Sequence, residues 1–559
     1  MNHNIHILTS LLCRHGVDKV VVCPGSRNAP IVHWLSESED MECYPVTDER
    51  SAGFVALGMA QATGKPAAVC VTSGTALLNL APAVAEAYYQ QTPLVVISAD
   101  RPQMWIGQLD GQTLPQPGAL GRFVARSVTL PETADDENLR YCGRLVNEAL
   151  LAARHPVCRP VHINVPLREP LFDFAASDMP PAKAVALIGC GGASAEQVRR
   201  VGDRLTGAER PMIVVGQCAY SRALADALRQ LSRRFVVLQE PLSPGAVRFD
   251  EVIYKVGMSE DYMPDFILYI GGTVVSKRLK KFLRAAAEAE TWAVSGDGEI
   301  HDTFMTQTAV IEADEVSLLC GLAAVLSETA AVVSENDVRQ IATADEFRHR
   351  WMAALSAADR HAAVFEPRYS QMQAVRMFET MVDELDYDCH VHYANSSAVR
   401  LADIYATHYI YVNRGVNGIE GSLSTAAGFA MACPDMTFCV IGDLSFFYDS
   451  NALWNQCLRG NLRILLLNNC CGGIFHQLPG LECSPVRDRL IAAGHHASAH
   501  GICDAHDIGY LAAHDADELA RHMETFLYSG THRPLLFEVF TDAEMDAEAI
   551  KEYLETFNL

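Results

Sequence analysis

Two apolar runs of this chain end on polar residues that could hold a charged ligand. The run Thr437–Ile441 ends on Gly442-Asp443, and the run at 463–467 ends on Asn468-Asn469. Both read as buried strands, and in an open α/β sheet ligands gather at the carboxyl tips of the strands. A carboxylate and a carboxamide on neighbouring tips are hard oxygen donors. With a backbone carbonyl and phosphate oxygens they suit an octahedral magnesium ion, and magnesium in turn implies a diphosphate ligand. The competing reading is structural: Asp443 caps a helix and the asparagines make a turn. The segment after Asp443 reads as a helix, with Asp449, Ser450 and Asn451 near its N-terminal turn. Far upstream, Glu49 follows a short strand and precedes a helix of small residues, and the next strand leads into Thr72-Ser73-Gly74-Thr75.

The elements that must carry these residues follow a βα rhythm. "KVVVC", "AAVCV", "LVVIS" and "VHINV" alternate with helical patterns, which signals a largely parallel sheet. Around 170–195 Pro-Pro and Gly-Gly mark a linker. A second α/β unit follows, with strands at "PMIVVG", "FVVLQE" and "FILYIGG". A third begins near 360, with strands at "CHVHYAN", "TFCVIGD", "RILLLNN" and "PLLFEVF". The expected boundaries are 1–178, 190–335 and 360–559, and the first and third units share a rhythm. The start of the chain reads as an amphipathic helix without a secretory leader. "VVGQCAYS" in the second unit lacks a convincing G-x-G-x-x-G loop, so no dinucleotide is expected there.

Composition narrows the function classes. The chain has 559 residues, 49% of them apolar, yet no apolar run is long enough to span a bilayer. A formal net charge of −24 disfavours nucleic acid and anionic membrane surfaces as partners, but not an anionic small molecule bound by local arginines. The 17 cysteines include no CxxC pair and many lie in apolar strands, as expected for buried thiols of a cytoplasmic protein; a zinc site is not expected.

The motifs "CPGSRNAP", "TDERSAG", "TSGTALLNLAPAVAEA", "SADRP", "NRGVNGIEGSLSTAAG" and "GDLSFFYD" together resemble one branch of the thiamine diphosphate enzymes. That branch is the 2-succinyl-5-enolpyruvyl-6-hydroxy-3-cyclohexene-1-carboxylate synthase family of menaquinone biosynthesis. The likeness is strongest over 20–120 and 390–480, and in the middle "SKRLKK" is its main anchor. The resemblance implies an α/β fold of three doubly wound parallel-sheet domains. The first would bind the aminopyrimidine, the central one would bind no dinucleotide, and the last would bind the diphosphate. It implies thiamine diphosphate with Mg2+ or Mn2+ as cofactors, and a homodimer or homotetramer whose active sites are shared between chains.

The resemblance also assigns residues. Glu49 would hydrogen-bond the aminopyrimidine and favour its imino tautomer, and Ile419 would bend the cofactor from beneath. Gly442, Asp443 and Asn469 would complete the cofactor site, with Asp443, Asn469 and the Cys471 carbonyl on the metal. Leu444 stands where the superfamily usually has glycine, and the interval from Asp443 to Asn469 is one residue shorter than usual, which leaves Asn468 as the alternative ligand. No histidine or base stands out beside Cys471, so its thiol is not read as a nucleophile. The substrates implied are 2-oxoglutarate and isochorismate. Their carboxylates would meet Ser26, Arg27, Arg101, Gln112, Lys277, Arg278, Ser396, Arg400 and Arg414, with Arg27, Arg400 and Arg414 joining Glu49 as catalytic residues. "SKRLKK" read without the resemblance is a basic helix face. The reaction implied is a transferase step: CO2 leaves 2-oxoglutarate, and the four-carbon remainder adds to the ring alkene of isochorismate. The alternatives are another thiamine diphosphate-dependent 2-oxoacid decarboxylase, an acetohydroxyacid synthase-like carboligase, or a non-enzymatic binding protein on the same scaffold. The last would be expected to lack Glu49 or Asp443, and both are present.

Overall fold

The computed structural model describes residues 3–132, 135–172, 174, 182–189, 191–328 and 335–559. Three all-parallel sheets account for the fold. The first holds β1 (Lys19–Val22), β2 (Glu42–Pro45), β3 (Ala67–Val71), β4 (Leu94–Asp100), β5 (Arg126–Thr129) and β6 (Val161–Pro166), in the order β2-β1-β3-β4-β6-β5. The second holds β7 (Pro211–Val215), β8 (Val236–Gln239), β9 (Phe266–Ile270), β10 (Glu290–Val294) and β11 (Gln307–Ile311), in the order β11-β10-β9-β7-β8. The third holds β12 (Cys389–Tyr393), β13 (Ile410–Val412), β14 (Met436–Gly442), β15 (Leu462–Asn468), β16 (Gly509–Ala513) and β17 (Leu535–Phe540), in the order β13-β12-β14-β15-β17-β16. Numbered within each domain, the first and third sheets have the same strand order, which is the physical content of their shared rhythm.

Every strand read from an apolar run is present. The strands that pattern reading passed over are β5, β10, β11, β13 and β16, four of them at sheet edges. The N-terminal helix forms over His3–Arg14, with Ile5, Leu8, Leu11 and Leu12 buried. The expected linker falls partly on residues 173, 175–181 and 190, outside the described residues; the part at 182–189 has no helix or strand. The long helix Glu335–Val364 packs Phe347, Trp351, Leu355 and Ala358 on the core of the second sheet. Among the described residues no helix is long and apolar enough to cross a membrane.

Chain reversals in strand order fix where ligands can sit. In the first sheet the order reverses between β1 and β3, and in the third between β12 and β14. The tips there carry Gly25-Ser26-Arg27 beside Thr72-Ser73-Gly74, and Asn395-Ser396 beside Gly442-Asp443. In the second sheet the reversal lies between β7 and β9, and the tips close on each other: a Cβ on Gly216 would lie 2.1 Å from the Gly272 carbonyl oxygen.

One apolar core runs through the first and third domains. Helices Glu49–Thr63 and Ser422–Ala432 cross with Phe54, Val55, Ala56 and Met59 against Leu423, Ala426, Ala427 and Ala430. The crossing is backbone-close: a Cβ on Gly58 would lie 1.9 Å from the Thr425 carbonyl oxygen, and one on Gly428 2.0 Å from that of Val55. Gly58→Val is therefore expected to destabilise the protein by at least about 1–3 kcal/mol through overpacking. Gly501→Ala, in a helix where an added Cβ meets nothing within 4 Å, should be neutral or mildly stabilising. Scanning calorimetry of the two variants checks the contrast.

Candidate active site

The first-domain half is built at the start of helix Glu49–Thr63. Its N-cap Asp48 accepts the backbone N–H groups of Arg50 at 2.9 Å and Ser51 at 3.3 Å. Glu49 therefore lies in the first turn, where the helix dipole favours a carboxylate, and Asn79 donates to its Oε2 at 3.3 Å. Glu49 faces a cleft of about 220 Å3 lined by residues 72–76, Asp110 and residues 112–114, all of the first domain. Gly74 takes φ +91°, and a Cβ there would press on the Gln112 backbone at 3.3 Å, so the loop needs glycine.

Around this cleft, the Ser26 and Gln112 side chains are exposed. Arg27 is buried; it donates to the Leu167 carbonyl at 3.2 Å and pairs with Glu169 at 3.4 Å. Burial, then the nearby Arg101, lowers its pKa. Arg101 pairs with Asp110 at 3.1 Å and donates to the Gly111 carbonyl at 3.0 Å.

The third-domain half is built on the tips of β12, β14 and β15. Asp443 is the first residue of a six-residue helix, Asp443–Tyr448. Asp449 therefore follows that helix instead of opening one. Its carboxylate is buried and holds Ser424 through the backbone N–H at 2.7 Å and the hydroxyl at 2.8 Å, while Asn451 reaches Asp48 at 2.7 Å. The helix expected after Asp449 is replaced by a 3-10 turn over Ser450–Leu453, because the polar residues meant to cap it are engaged by neighbouring helices. Asp443 Oδ1 accepts the Leu444 N–H at 2.7 Å and Oδ2 accepts the Cys471 N–H at 3.0 Å, and His495 Nε2 lies 3.2 Å from Oδ2. Burial pushes its carboxyl up to about 6 against these favourable contacts. An adjacent divalent cation would reverse that push.

The two asparagines differ in what they have left to offer. Asn468 donates to the Ala497 carbonyl at 3.0 Å and to Glu538 at 2.7 Å, and its Oδ1 accepts the Cys470 N–H at 3.0 Å. Asn469 donates to Asp546 at 2.8 Å, and its Oδ1 meets only the Cys471 thiol at 3.8 Å. The Cys471 carbonyl accepts the Gly473 N–H at 2.9 Å and keeps a second lone pair. His476 Nε2 stands 3.9 Å from Cys471 Sγ, so the thiol does have a neighbouring base. Burial and then Asp443 nevertheless push this thiol up to about 12, which keeps it protonated. Ile419 is 43% exposed, and its carbonyl accepts the Ser445 hydroxyl.

Basic residues of the second and third domains converge on the same end. Ser276 caps helix Lys277–Ala285, so Lys277 and Arg278 occupy its first turn. "SKRLKK" is thus a helix start as well as a basic face. Arg278 pairs with Asp250 and lies over the Tyr254 ring at 5.2 Å. Ser396 takes φ +77° and precedes helix Ser397–Tyr405, which carries Arg400. Among the described residues Arg400 makes no side-chain hydrogen bond or ion pair, and burial lowers its pKa against the pull of Asp250 and Asp403. Arg414 donates to Asn395 Oδ1 at 3.0 Å, and its Nε is buried without a partner. Arg278 lies within electrostatic reach of Arg400, and Arg400 of Arg414.

The structure thus gathers the candidate residues into a first-domain group (Ser26, Arg27, Glu49, Arg101, Gln112) and a group from the second and third domains. Asp48 and Arg50 meet the third domain at Asn451 and the Tyr448 carbonyl, at and just past the far end of the helix that Asp443 begins. Sequence reasoning missed Asn395, Asp546 and His495. Asn395 was legible as part of the polar run after "VHYA"; the other two come from distant segments.

Two family profiles match the chain: "Thiamine pyrophosphate enzyme, N-terminal TPP binding domain" over residues 5–118 and "Thiamine pyrophosphate enzyme, C-terminal TPP binding domain" over residues 394–539. Curated relatives span the whole chain. A Bacteroides fragilis protein named 2-succinyl-5-enolpyruvyl-6-hydroxy-3-cyclohexene-1-carboxylate synthase is 44% identical, covering 98% of each chain. Proteins of the same name from Porphyromonas gingivalis and Desulfotalea psychrophila are each 34% identical, covering 98% and 94% of this chain and 96% of each relative.

The thiol chemistry of the site can be checked directly. Brief iodoacetamide treatment at pH 7, followed by peptide mass mapping, should label the exposed Cys483 and leave Cys471 unmodified. Labelling of Cys471 as fast as Cys483 would mean that His476 activates it.

Proposed function

The chain belongs to the 2-succinyl-5-enolpyruvyl-6-hydroxy-3-cyclohexene-1-carboxylate synthase family of thiamine diphosphate enzymes, and from that membership we propose its reaction and the roles of its residues. It decarboxylates 2-oxoglutarate and adds the four-carbon remainder to isochorismate in a 1,4-addition, a transferase step of menaquinone biosynthesis in the cytoplasm. The observation that carries this reading is the pairing of Glu49 on one sheet with Asp443 and a free Asn469 oxygen on a second sheet of the same strand order. One cofactor has a pyrimidine at one end and a diphosphate at the other, and these tips suit the two ends.

The residues fit the group. Asp443, Asn469 Oδ1 and the Cys471 carbonyl are three oxygen donors of the kind Mg2+ or Mn2+ prefers, and Gly442 leaves open space at its side, with no atom within 4 Å of an added Cβ. Asn468 Oδ1 already accepts the Cys470 N–H while Asn469 Oδ1 accepts no N–H, which supports Asn469 as the ligand. When bound, thiamine diphosphate supplies the electron sink for loss of CO2. Glu49 holds a proton against the aminopyrimidine and so sets its tautomer. Arg400 and Lys277, which make no hydrogen bond or ion pair among the described residues, together with Arg278 and Arg414, hold substrate carboxylates from the diphosphate side. Ser26, Arg27, Arg101 and Gln112 do so from the Glu49 side. The closed tips of β7 and β9 support a central domain without a dinucleotide.

The active unit is a homodimer, or a tetramer of two such pairs, with sites shared between chains. Its support is that the Glu49 cleft has no third-domain wall of its own and that Ile419 is left partly exposed.

The experiment that tests the reaction is CO2 release from 2-oxoglutarate with thiamine diphosphate and magnesium, with and without isochorismate. Release coupled to isochorismate is expected, and no release from 2-oxoglutarate excludes it. Glu49→Gln should lower turnover at least about 100-fold, the range of a general acid–base group, with cofactor still bound. Asn469→Ala should weaken magnesium-dependent cofactor binding with a small change in melting temperature. Asn468→Ala should do the reverse, lowering the melting temperature more than cofactor affinity. Titrating cofactor by tryptophan fluorescence distinguishes the two.

A further inference from the structure

Glu86 belongs to neither half-site, yet it is only 3% exposed and its carboxylate is turned onto the backbone of another domain. It sits on helix Ala81–Tyr89 of the first domain. Its Oε1 accepts the Gly415 N–H at 2.6 Å and its Oε2 the Val416 N–H at 2.7 Å. Gln90, one turn on, donates to Glu86 Oε1 and also reaches the Val412 carbonyl at 3.2 Å and Asn413 Oδ1 at 3.4 Å. A Cβ on Gly415 would lie 2.7 Å from the Glu86 carbonyl oxygen and 3.0 Å from Tyr89 Cβ, so the segment rests directly on the helix.

This segment is where Arg414 and Ile419 stand, and it has no helix or strand of its own to fix it. All three domains grip it instead. Asn395 of the third domain donates to the Asn413 carbonyl at 2.6 Å and the Gly418 carbonyl at 2.8 Å, and accepts from Arg414. Gln217 of the second domain donates to the Val412 carbonyl at 2.8 Å. Glu86 is the only charged member of this set, and it holds the two residues directly after Arg414. Burial raises its pKa while the two N–H groups and Gln90 favour the ionised form. A carboxylate on two successive N–H groups makes the stronger, charge-assisted kind of hydrogen bond.

We propose that Glu86 is a positioning residue of the active site, holding the Arg414–Ile419 segment so that Arg414 meets substrate and Ile419 meets cofactor. The proposal rests on the placement of Arg414 and Ile419 made above. Glu86→Gln keeps the length but turns one acceptor oxygen into an NH2 group facing an N–H.

The test is a double-mutant cycle in the full-length protein with cofactor and magnesium, using Arg414→Lys as the second change. Glu86→Gln should lower kcat/KM at least tenfold in the native background and less than twofold beside Arg414→Lys. It should also raise the thiamine diphosphate Kd, read by tryptophan fluorescence, at least threefold. A merely structural role gives the same fold-loss in both backgrounds, and that result, or an unchanged kcat/KM, overturns the proposal. If Glu86→Gln does not fold, Gln90→Met runs the same cycle, since it leaves the carboxylate in place and removes the amide that ties it to Val412 and Asn413. Failure of the functional reading looks different: the parent protein itself would release no CO2.

Discussion

The helix that begins at Glu49 lies so close to the helix that begins at Ser422 that no side chain fits between them at Gly58 or Gly428. Backbone touches backbone, and small residues on either side complete one continuous core. Such a contact has no slack, because extra volume can only push the domains apart. Its consequence reaches both half-sites. Glu49 is fixed at one helix start, and Phe54 of the same helix packs on Gly421, two residues beyond Ile419; a Cβ at Gly421 would lie 2.3 Å from that ring. The first domain thus sets the position of its own carboxylate and of the third-domain segment that carries Ile419.

The same strand order in the first and third sheets gives each a reversal point and so a place for a ligand at its strand tips. The chemistry at the two places is complementary. One tip offers a carboxylate at a helix start beside a glycine loop; the other offers a carboxylate and a carboxamide oxygen with basic residues nearby. The second sheet has a reversal point too, but its tips are filled by glycine backbone. Its contribution is peripheral: Glu240 accepts the N–H groups of Val275 at 2.6 Å and Ser276 at 2.7 Å, and so sets the start of the helix that carries Lys277 and Arg278.

How much of this was legible in the sequence follows from burial. Most strands with both faces covered carry apolar runs and were readable, even where β6 and β12 interleave buried polar residues such as His162, Asn164 and His392. Edge strands are covered less completely: of β5, only Val128 is buried, so no run marks it. β10 is interior yet begins with Glu290 and Thr291, which hides it from a search for apolar runs. The Asp443 tip was readable because a charged residue after an apolar run is conspicuous; Glu49 follows the short strand Glu42–Pro45 and was singled out through the motif around it. The role of Asp449 was not, since its partner Ser424 comes from another helix. Nor could sequence separate Asn468 from Asn469, whose difference lies in the fold: one is tied to Glu538, the Ala497 carbonyl and the Cys470 N–H, the other to Asp546. Glu86 lay in a motif already noticed, but its partners Gly415 and Val416 are in another domain.

A shared site makes a demand that a self-contained one does not. Two inactive variants, Glu49→Gln and Asp443→Ala, are mixed under conditions that let chains exchange, and CO2 release from 2-oxoglutarate is followed in the presence of isochorismate. In a mixed dimer with shared sites, one site carries both lesions and the other carries neither, so activity returns. Complete exchange, shown by mass labelling of one variant, with no recovered activity would mean that each chain builds its site alone.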